Sequence, residues 1–511
     1  MTTIELQRRS GGEKTATSAV LIIGSCMENS SAHGISNIKR AHQNIRRLFW
    51  ICAFLTSFSV CVWQITLLIS AYLDRQVTTN VDVITKTKLT FPAVTICNNN
   101  GMLKSYLQQN EELFNDINGT ATKLDSKFQY WDNDDDESYE APFDLINLLT
   151  EHLSPIAYDD RESSGHQINT SLLSCIFNGI PCNPNHFSYV YNYLFGNCYT
   201  YNNGMKFRAS STVSAGPIYG LTLEMNIQQS EYIADIRPAA GLRILVHDQH
   251  EMPFPEDKGI NVPPARETSV GVYRTEFERL PHPYPSNCKL KESPTIFSRR
   301  FPGIEYSKSA CLKDCLYRHT FLECDCYNSR YTYDSESPVC KVGVEEEEEC
   351  LLNTETMIAE GNISCNCGPA CTEVSYSTSV FSSAWPGSEY LPKIVDKLLN
   401  TPAISVEGND TEKFIYENFA KLNVYYENLQ YDSIEQVATY TLLSLVSNVG
   451  GHLGLWIGMS ALTLMEFLEC MYDVLYVLMF RRKNATQNVS QSANGAENHS
   501  SATFKNDAFS Q

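Results

Sequence analysis

The residues with the clearest chemistry are three carboxylates that follow a long apolar run near the C-terminal end of the chain. No charged residue occurs from 437 to 465, and Glu466, Glu469 and Asp473 come next, before Arg481. In a helix Glu466 and Asp473 lie on one face, two turns apart, and Glu469 lies beside Glu466. Carboxylates inside a membrane are costly and usually mark an ion path. Several copies around an axis would form stacked anionic rings that concentrate cations, unless the carboxylates, Asp473 above all, reach the cytoplasmic boundary.

Glycines precede these carboxylates at a regular spacing. Gly450, Gly454 and Gly458 recur every four residues, a pattern that lets helix backbones approach closely and by itself indicates only helix packing. Gly451 and Gly458 also weaken a helix, and backbone carbonyls freed there could line a wet passage. The segment therefore has the features of a cation pore wall.

Two apolar segments position this chemistry. The segment 48–73 contains 26 residues without a charge. At about 1.5 Å per residue, such a helix exceeds the roughly 30 Å hydrocarbon core of a bilayer. The segment 436–480 supplies the second, pore-lining span. Because buried helices of soluble proteins seldom need such length, we expect two transmembrane helices.

Charge orients both spans. Residues 1–47 carry seven Lys and Arg against three Glu, and 481–511 carry four against two carboxylates, which gives +4 and +2. The chain totals −20, and the second span holds three carboxylates, so 74–435 carries −23. Basic flanks stay on the cytoplasmic side, so we expect cytosolic termini, a disordered tail over 481–511 and an acidic exterior. Nucleic acid is excluded as a partner because a polyphosphate needs a basic face.

The distribution of cysteines along the chain supports this orientation across the membrane. Of the 18 cysteines, 14 fall within 74–435, an even number that suits disulfides in an oxidising exterior. The other four lie in the N-terminal tail or the spans: Cys26, Cys52, Cys61 and Cys470. A zinc site is disfavoured, because the CxxC spacing is absent and only His282 and His319 lie near the cysteine cluster. We therefore expect no metal.

Cysteine spacing restricts the pairing. Cys311 and Cys315 lie on one face of a helix expected over 306–317, and Cys365 and Cys367 lie on one face of an expected strand. If helix and strand run antiparallel, the earlier cysteine of one pairs with the later cysteine of the other. The predicted pairs are Cys311 with Cys367, Cys315 with Cys365, Cys288 with Cys371, Cys326 with Cys340, and Cys324 with Cys350.

The exterior segment is typical of one large, loop-rich α+β domain. Alternating runs predict strands over 87–96, 220–227 and 422–426. The polar segment 101–170 is expected to form a helical protrusion, and the five carboxylates of 345–349 are expected in a solvated loop. N-x-S/T sequons predict glycans at Asn118, Asn169, Asn362 and Asn409.

Several motifs resemble those of one channel family. Gly450–Glu469 (GGHLGLWIGMSALTLMEFLE) is similar to the pore helix of the degenerin/epithelial sodium channel family, and Phe91–Asn98 (FPAVTICN) is similar to the segment after its first span. The other matching stretches are Ser31–Asn37, Asn197–Asn202, Ala384–Pro386 and Leu422–Gln436. The resemblance runs from about Ser31 to Phe480 and includes the fourteen exterior cysteines.

The resemblance implies a fold and an activity. Family members are trimers in which each subunit gives two spanning helices and a clenched-hand ectodomain with palm, knuckle, finger, thumb and β-ball. They form Na⁺-selective pores in the plasma membrane, which amiloride blocks and which need no cofactor. We therefore expect a homotrimeric, multi-pass, disulfide-rich α+β membrane protein that passes Na⁺ down its gradient. The family also implies disulfides between Cys97 and Cys198 and between Cys175 and Cys182.

The resemblance also implies residue roles. Gly458, Met459 and Ser460 match the selectivity constriction, which is formed with a re-entrant His33–Gly34 segment that influences gating. Ser447 matches a position at which bulky substitutions hold family channels open. The further gating residues are Gly450 and Gly451, and the residues expected to couple ectodomain to pore are Tyr72, Tyr284 and Trp385.

Departures from the acid-sensing pattern predict the stimulus. Residues 72–79 lack the His that acid-sensing members carry just beyond the first span, and Tyr284 stands near the position of their Trp. Tyr72 could still stack on Tyr284. These features resemble the invertebrate FMRFamide-gated sodium channels. Together with the net charge of −23 on the exterior segment, they predict opening by a cationic, amidated neuropeptide. The peptide would bind the open state more tightly than the closed state. Acid gating and mechanical gating remain alternatives.

Two other classes of function fit the sequence less well. An enzyme is not expected, because the sequence contains no nucleophile or metal constellation. An adhesion or receptor protein without conductance would explain the sequons and disulfides. It would not explain three carboxylates within a glycine-rich span.

Overall fold

The computed structural model describes residues 23–32, 34–127, 141–205, 208–234, 236–333, 335–341, 343–399 and 410–476. His33, Asn409 and the tail 481–511 therefore lie outside the described residues. The chain divides into two compact units. The helical unit comprises the described parts of Met1–Gln76 and Ala438–Gln511, and the sheet unit comprises those of Val77–Val437.

The elements are numbered in chain order. The helices are α1 (Ile35–Arg40), α2 (Asn44–Leu73), α3 (Lys104–Gln109), α4 (Glu111–Lys127), α5 (Ala141–Leu153), α6 (Ile168–Ser171), α7 (Ile296–Arg300), α8 (Lys308–Cys324), α9 (Glu345–Ala359), α10 (Leu391–Leu399), α11 (Thr411–Asn418), α12 (Leu442–Ile457) and α13 (Ala461–Tyr476). The strands are β1 (Val77–Thr85), β2 (Leu89–Thr90), β3 (Ala93–Asn98), β4 (Leu172–Phe177), β5 (Ile180–Pro181), β6 (Phe187–Asn192), β7 (Gly196–Tyr201), β8 (Ser211–Thr212), β9 (Leu221–Asn226), β10 (Leu242–His247), β11 (Ile260–Val262), β12 (Arg266–Glu278), β13 (Thr372–Ala384) and β14 (Phe419–Ala438). Residues 23–29 are also helical.

The first long helix, α2, is long and apolar enough to cross a bilayer by itself. It has 30 residues and a mean hydropathy of 1.9 in its most apolar window, of which only 6% is buried inside the chain. It begins at Asn44, four residues before the expected span 48–73, because its first turn takes in the basic residues Arg46 and Arg47. An apolar surface of this extent is stable against lipid or other helices rather than against water.

The segment expected to form the second span contains two helices with a break between them, which corrects the expectation of one helix over 436–480. β14 continues to Ala438, and α12 begins after Thr441, whose side chain accepts a hydrogen bond from the backbone N–H of Ser444 at 3.1 Å. α12 and α13 together pass the length and hydropathy test for a span but meet at an angle of 76°. Gly451 lies inside α12 without breaking it. One glycine costs a helix only about 1 kcal/mol, which its backbone hydrogen bonds outweigh.

Three sheets form the sheet unit. The seven-stranded sheet has the order β13-β12-β14-β9-β4-β5, with β1 also paired to β14. In it β12 and β14 run parallel, whereas β13, β9, β4 and β5 join their neighbours antiparallel. The five-stranded sheet β11-β10-β3-β7-β6 is antiparallel, and β2 pairs with β8 alone. One apolar core includes buried side chains of both larger sheets, among them Val94, Ile244, Leu223, Val270 and Leu422.

Three local expectations differ from the structure. The strand expected over 87–96 is split into β2 and β3 at Phe91-Pro92, because proline has no N–H for a ladder. The helix expected over 306–317 is α8, which begins after Ser307, whose side chain accepts from the Ala310 N–H at 3.2 Å. The carboxylates of 345–349 lie in α9 rather than a loop, and the first four of them form its first turn, where the helix dipole stabilises negative charge.

Disulfides fasten the sheet unit. The pairs are Cys97–Cys198, Cys175–Cys182, Cys288–Cys371, Cys311–Cys367, Cys315–Cys365, Cys324–Cys350 and Cys326–Cys340. These are the pairs that spacing and the family resemblance predict. Cys365 and Cys367 lie in irregular chain, however, not in the expected strand. The helical unit holds one further disulfide, Cys26–Cys470, which the sequence analysis does not anticipate.

Candidate functional site

The break between α12 and α13 is formed by Gly458, Met459 and Ser460. Gly458 has φ 68° and ψ 25°, a left-handed conformation that glycine adopts without strain. The backbone N–H groups of Gly458 and Met459 donate to the carbonyls of Gly454 and Leu453, each at 3.1 Å. These bonds satisfy two of the last carbonyls of α12 and close its C-terminal end.

Ser460 then caps the start of α13. Its Oγ accepts from the Thr463 N–H, and its own N–H donates to Thr463 Oγ1, each at 3.2 Å. This reciprocal pair is a capping box with Thr at the third helical position. At the break the C-terminal end of α12 carries partial negative charge and the N-terminal end of α13 carries partial positive charge.

α12 has one face against α2 and a small-residue face directed away from it. The thiol of Cys61 donates to the His452 carbonyl at 3.7 Å, and Trp456 Nε1 donates to Gln64 Oε1 at 2.7 Å. Ser447 and Gly451 lie on the opposite face by helical spacing. Both are exposed. A Cβ at Gly450 or Gly451 would meet nothing within 4 Å, so this face has room for a neighbouring backbone.

The three carboxylates all lie on α13 and are exposed in the single chain. Glu466 differs from the other two because the N-terminal segment contacts it. The backbone N–H and the hydroxyl of Ser31 both donate to Glu466 Oε2, at 3.0 and 3.1 Å. Ser31 Oγ also lies 2.6 Å from Thr463 Oγ1. Sequence reasoning assigns Ser31 no role, since nothing local marks it.

The re-entrant segment is described only in part. His33 lies outside the described residues. Gly34 caps α1 with φ 91°, and a Cβ there would lie 3.4 Å from Phe54 Cδ2 of α2. Glycine is therefore favoured at this position by its backbone conformation, while the ring lies at ordinary van der Waals distance.

Three residues are expected to couple the ectodomain to the pore: Tyr72, Tyr284 and Trp385. The structure shows the contacts of each within its own unit. In the helical unit, the Arg75 guanidinium lies 4.9 Å from the centre of the Tyr72 ring. In the sheet unit, Tyr284 lies in a turn, where its N–H donates to the Pro281 carbonyl at 3.1 Å. Trp385 is 5% exposed and belongs to an apolar core with Leu391 and other side chains. The stacking of Tyr72 on Tyr284 stays a prediction.

The glycosylation positions that the structure describes are accessible. Asn118, Asn169 and Asn362 are all exposed, as a glycan acceptor must be. Asn118 lies on α4, Asn169 on α6, and Asn362 follows α9. Glycosylation at these positions stays a prediction.

A cavity of about 550 Å³ in the sheet unit is a functional candidate that sequence reasoning missed. It lies among the loop after β10, the second half of β12, the start of β13 and the loop before α8. Three ion pairs line it: Arg274–Glu276 at 2.6 Å, Arg279–Glu373 at 2.7 Å and Lys291–Glu305 at 2.8 Å. The alternation of Arg274, Glu276 and Glu278 along one face of β12 is the signal that could have indicated it.

Among the titratable side chains that line this cavity, Glu251 has a pKa close to neutral pH. Desolvation raises its pKa to about 7, and the negative charges of Asp248, Glu373 and Asp257 also raise it, whereas Lys258 opposes the rise. An ordinary Glu has a pKa of about 4.3. Glu251 therefore changes charge close to the pH of body fluids.

The neighbouring His247 does not titrate there. Burial lowers the pKa of His247 to about 4. Its Nε2 lies 2.7 Å from Thr95 Oγ1, and its Nδ1 lies 2.8 Å from the Asp248 carbonyl. This histidine is neutral at physiological pH and acts as a structural hydrogen-bonding group.

Comparisons with known proteins identify the family. The family model described as "Amiloride-sensitive sodium channel" matches residues 26–470. Acid-sensing ion channel 1A of Danio rerio is 30% identical over 471 residues, which cover 89% of this chain and 88% of that protein. Human acid-sensing ion channel 2 is 30% identical over 460 residues, covering 87% and 85%. The epithelial sodium channel subunit alpha of Neoceratodus forsteri is 24% identical over 556 residues, covering 93% and 83%.

These matches extend over nearly all of the described chain, and the matched proteins are ion channels rather than enzymes. The helical break, the carboxylates of α13 and the disulfide-rich sheet unit all lie within the matched range or at its edge. This chain belongs to the amiloride-sensitive sodium channel family, the family of degenerins and epithelial sodium channels.

Proposed function

We propose that the chain forms a plasma-membrane Na⁺ channel that extracellular acid opens, with Glu251 as a proton-binding group. The observation that carries this proposal is the position of Glu251 in the cavity wall beside Asp248 and Glu373, where desolvation raises its pKa to about 7. Below that pH the carboxyl is neutral, and above it the carboxyl is charged. A conformation in which this pKa is higher gains stability as pH falls, so acid shifts the equilibrium toward it.

Two of the compared relatives are named acid-sensing ion channels, which supports this stimulus. The absence of His from residues 72–79 does not oppose it, because a carboxyl with a raised pKa titrates in the same range as an ordinary His. In this proposal the proton acts on the cavity of the sheet unit, outside the cell.

The pore proposal rests on the helical unit. Copies of the chain, three in the proposed homotrimer, place the small-residue faces of α12 around an axis. Gly458–Ser460 forms the constriction at the helix break, and Ser447, with the pair Gly450–Gly451, lies above it where bulk alters gating. Glu466, Glu469 and Asp473 then provide anionic rings at the cytoplasmic end, the re-entrant His33–Gly34 segment influences gating, and amiloride blocks the pore. Both termini are cytosolic in this arrangement.

A neuropeptide is the second candidate stimulus, and the size of the cavity favours it. A volume of about 550 Å³ is far more than a proton sensor needs and lies in the range of ligand sites. Its wall combines carboxylates and basic side chains, some of them in ion pairs, with Phe277 and Tyr306. A small cationic, amidated peptide such as FMRFamide has complementary chemistry, and the −23 exterior would attract it.

One recording separates the two stimuli. The full chain is expressed alone, and the outside solution is stepped from about pH 8 to about pH 6, on either side of the Glu251 pKa. FMRFamide is then applied at constant pH to the same cell. Acid-evoked inward Na⁺ current blocked by amiloride supports the first candidate. Current that appears only with peptide supports the second. Surface-expressed protein that passes no current under either stimulus contradicts both.

A further inference from the structure

The N-terminal segment is fastened to α13 at two separate points. Cys26 is bonded to Cys470, with the Cα atoms 6.1 Å apart. Ser31 contacts Thr463 and Glu466 one to two turns earlier on the same helix. Moving forward along the chain from Cys26 to Ser31 corresponds to moving backward along α13 from Cys470 to Glu466, so the two segments run antiparallel. The disulfide is thus one end of a continuous contact rather than an isolated bond.

The redox state of the cytosol determines whether this disulfide is permanent or reversible. In the orientation proposed above, Cys26 lies in the cytosolic N-terminal segment and Cys470 at the cytoplasmic end of the second span, next to a compartment in which glutathione keeps most thiols reduced. A disulfide in that compartment is transient and is used for redox sensing or catalysis. The Cα separation of 6.1 Å falls within the roughly 4.4–6.8 Å of ordinary disulfides. The two cysteines therefore join whenever an oxidant is present, without movement of the backbone.

We propose that Cys26 and Cys470 form a thiol–disulfide exchange site that takes a low-molecular-weight disulfide such as glutathione disulfide and, once oxidised, fastens the N-terminal segment to the pore helix. The proposal rests on the cytosolic orientation in the proposed function. It adds a cytoplasmic redox input to a channel whose proposed stimulus acts outside the cell.

Glutathione disulfide oxidises the two cysteines in two exchange steps. One protein thiolate attacks a sulfur of glutathione disulfide, which forms a mixed disulfide and releases one glutathione. The second protein thiolate attacks the protein sulfur of that mixed disulfide, forms the Cys26–Cys470 bond and releases the second glutathione. Two electrons pass from the protein to the two glutathiones, and the two thiol protons go with them. Excess glutathione reverses both steps.

The contact explains why the bond would affect conduction. Ser31 lies five residues after Cys26 and donates two hydrogen bonds to Glu466. When the disulfide is closed, Ser31 stays beside Glu466 because its segment is covalently held. When it is open, only hydrogen bonds between exposed groups hold the segment, and these compete with water. The remaining thiols, Cys52 and Cys61, have no disulfide partner.

Thiol counting tests the proposal without any current. Membranes from cells that express the full chain are equilibrated in a glutathione-rich or a glutathione-disulfide-rich buffer, denatured, and alkylated with a polyethylene-glycol maleimide. Four of the 18 cysteines lie outside the sheet-unit disulfides. Structural disulfides of that kind resist glutathione. We expect four adducts in the reduced buffer and two in the oxidised buffer.

Single variants identify the pair. Cys26→Ser should lose at most one of its three adducts in the oxidised buffer, because Cys470 can then go no further than a mixed disulfide with glutathione, which anti-glutathione blotting detects. Cys52→Ser is the matched control and should still lose two adducts, from three to one. Four adducts for the unmodified chain in both buffers would overturn the proposal. So would glutathione retained on the oxidised unmodified chain, because in the proposal the second cysteine displaces it to close the Cys26–Cys470 bond.

Current recording supplies the link to the channel. Inside-out patches that carry amiloride-sensitive current are exposed on the cytoplasmic face to the two buffers. The current should change reversibly between them in the unmodified chain and in Cys52→Ser, but not in Cys26→Ser. A chain that gives the expected adduct counts but no current would contradict the proposed function and leave the exchange site established. Normal current with unchanged adduct counts would contradict the exchange site alone.

Discussion

Ser31 and Glu466 are joined by two hydrogen bonds, in which the backbone N–H and the hydroxyl of Ser31 donate to the same carboxylate oxygen at 3.0 and 3.1 Å. These residues are 435 positions apart in the chain. One belongs to the N-terminal segment and the other to α13, just after the break at Gly458–Ser460. The orientation of a candidate pore carboxylate thus depends on the N-terminal segment.

The first prediction concerns this pair. Ser31→Ala should lower single-channel Na⁺ conductance in the same direction as Glu466→Gln, because it removes one donor that positions the carboxylate. A hydrogen bond of this kind at an exposed site contributes roughly 1 kcal/mol. In a double-mutant cycle, Ser31→Ala should have no further effect in the Glu466→Gln background. Ser30→Ala is the control, since the Ser30 hydroxyl accepts from the Ala32 N–H instead. Additive effects would show that Ser31 acts elsewhere.

The second prediction concerns the helix break. Gly458→Ala should reduce the Na⁺-over-K⁺ permeability ratio, since a left-handed conformation costs an L-residue roughly 1–2 kcal/mol and the break must rearrange. Gly458→Asn should lose less selectivity, because Asn tolerates this conformation better. Reversal potentials in mixed Na⁺ and K⁺ solutions measure the ratio. Gly387→Ala, where a Cβ meets nothing within 4 Å, is the control. Equal selectivity in all of these channels would remove Gly458–Ser460 from the constriction.

The third prediction concerns the small-residue face of α12. Ser447→Phe should produce standing, amiloride-sensitive current, because a ring on the face opposite α2 prevents close approach of neighbouring helices. Val446→Phe places the same ring about 100° around the helix and should gate normally. Whole-cell current at rest, normalised to surface protein, measures the effect. Silent Ser447→Phe channels at normal surface density would count against this assignment.

The fourth prediction ranks two disulfides by the chain length they enclose. Cys97–Cys198 spans 101 residues and Cys175–Cys182 spans seven. In the chain-entropy account, removal of the longer link costs about 2 kcal/mol more. Paired Cys→Ala variants of the purified full chain should therefore lose more thermal stability at the longer link. The reverse order would mean that native-state contacts, not loop entropy, set the contribution of each bond.

The sequence predicts best those features that depend on local spacing. The i,i+4 arrangement of Cys311 and Cys315 places both on one side of α8, and an assumed antiparallel course of 365–367 then orders the pairing; the pairing is confirmed although that segment is irregular chain. Spacing could not distinguish Gly451 from Gly458 as the site of the helix break. That outcome depends on Ser460 and Thr463, which cap a new helix directly after Gly458.

Features assembled from distant segments could not be predicted. The cavity combines Glu251 with charged residues of β12 and β13, and its desolvation exists only in the folded domain. The Cys26–Cys470 bond joins residues 444 positions apart, and one tail cysteine carries no signal for its partner. In both cases the property belongs to the three-dimensional neighbourhood rather than to the residue.

The most direct test of the account is the acid activation curve of amiloride-sensitive current for Glu251→Gln beside the unmodified chain. Gln resembles the protonated carboxyl, so Glu251→Gln should pass standing current at about pH 8, above the pKa of about 7, and respond weakly to acid. Glu278→Gln, an exposed carboxylate in the same cavity, should keep the acid response and closure at about pH 8 of the unmodified chain. Superimposable curves for Glu251→Gln and the unmodified chain would contradict the account.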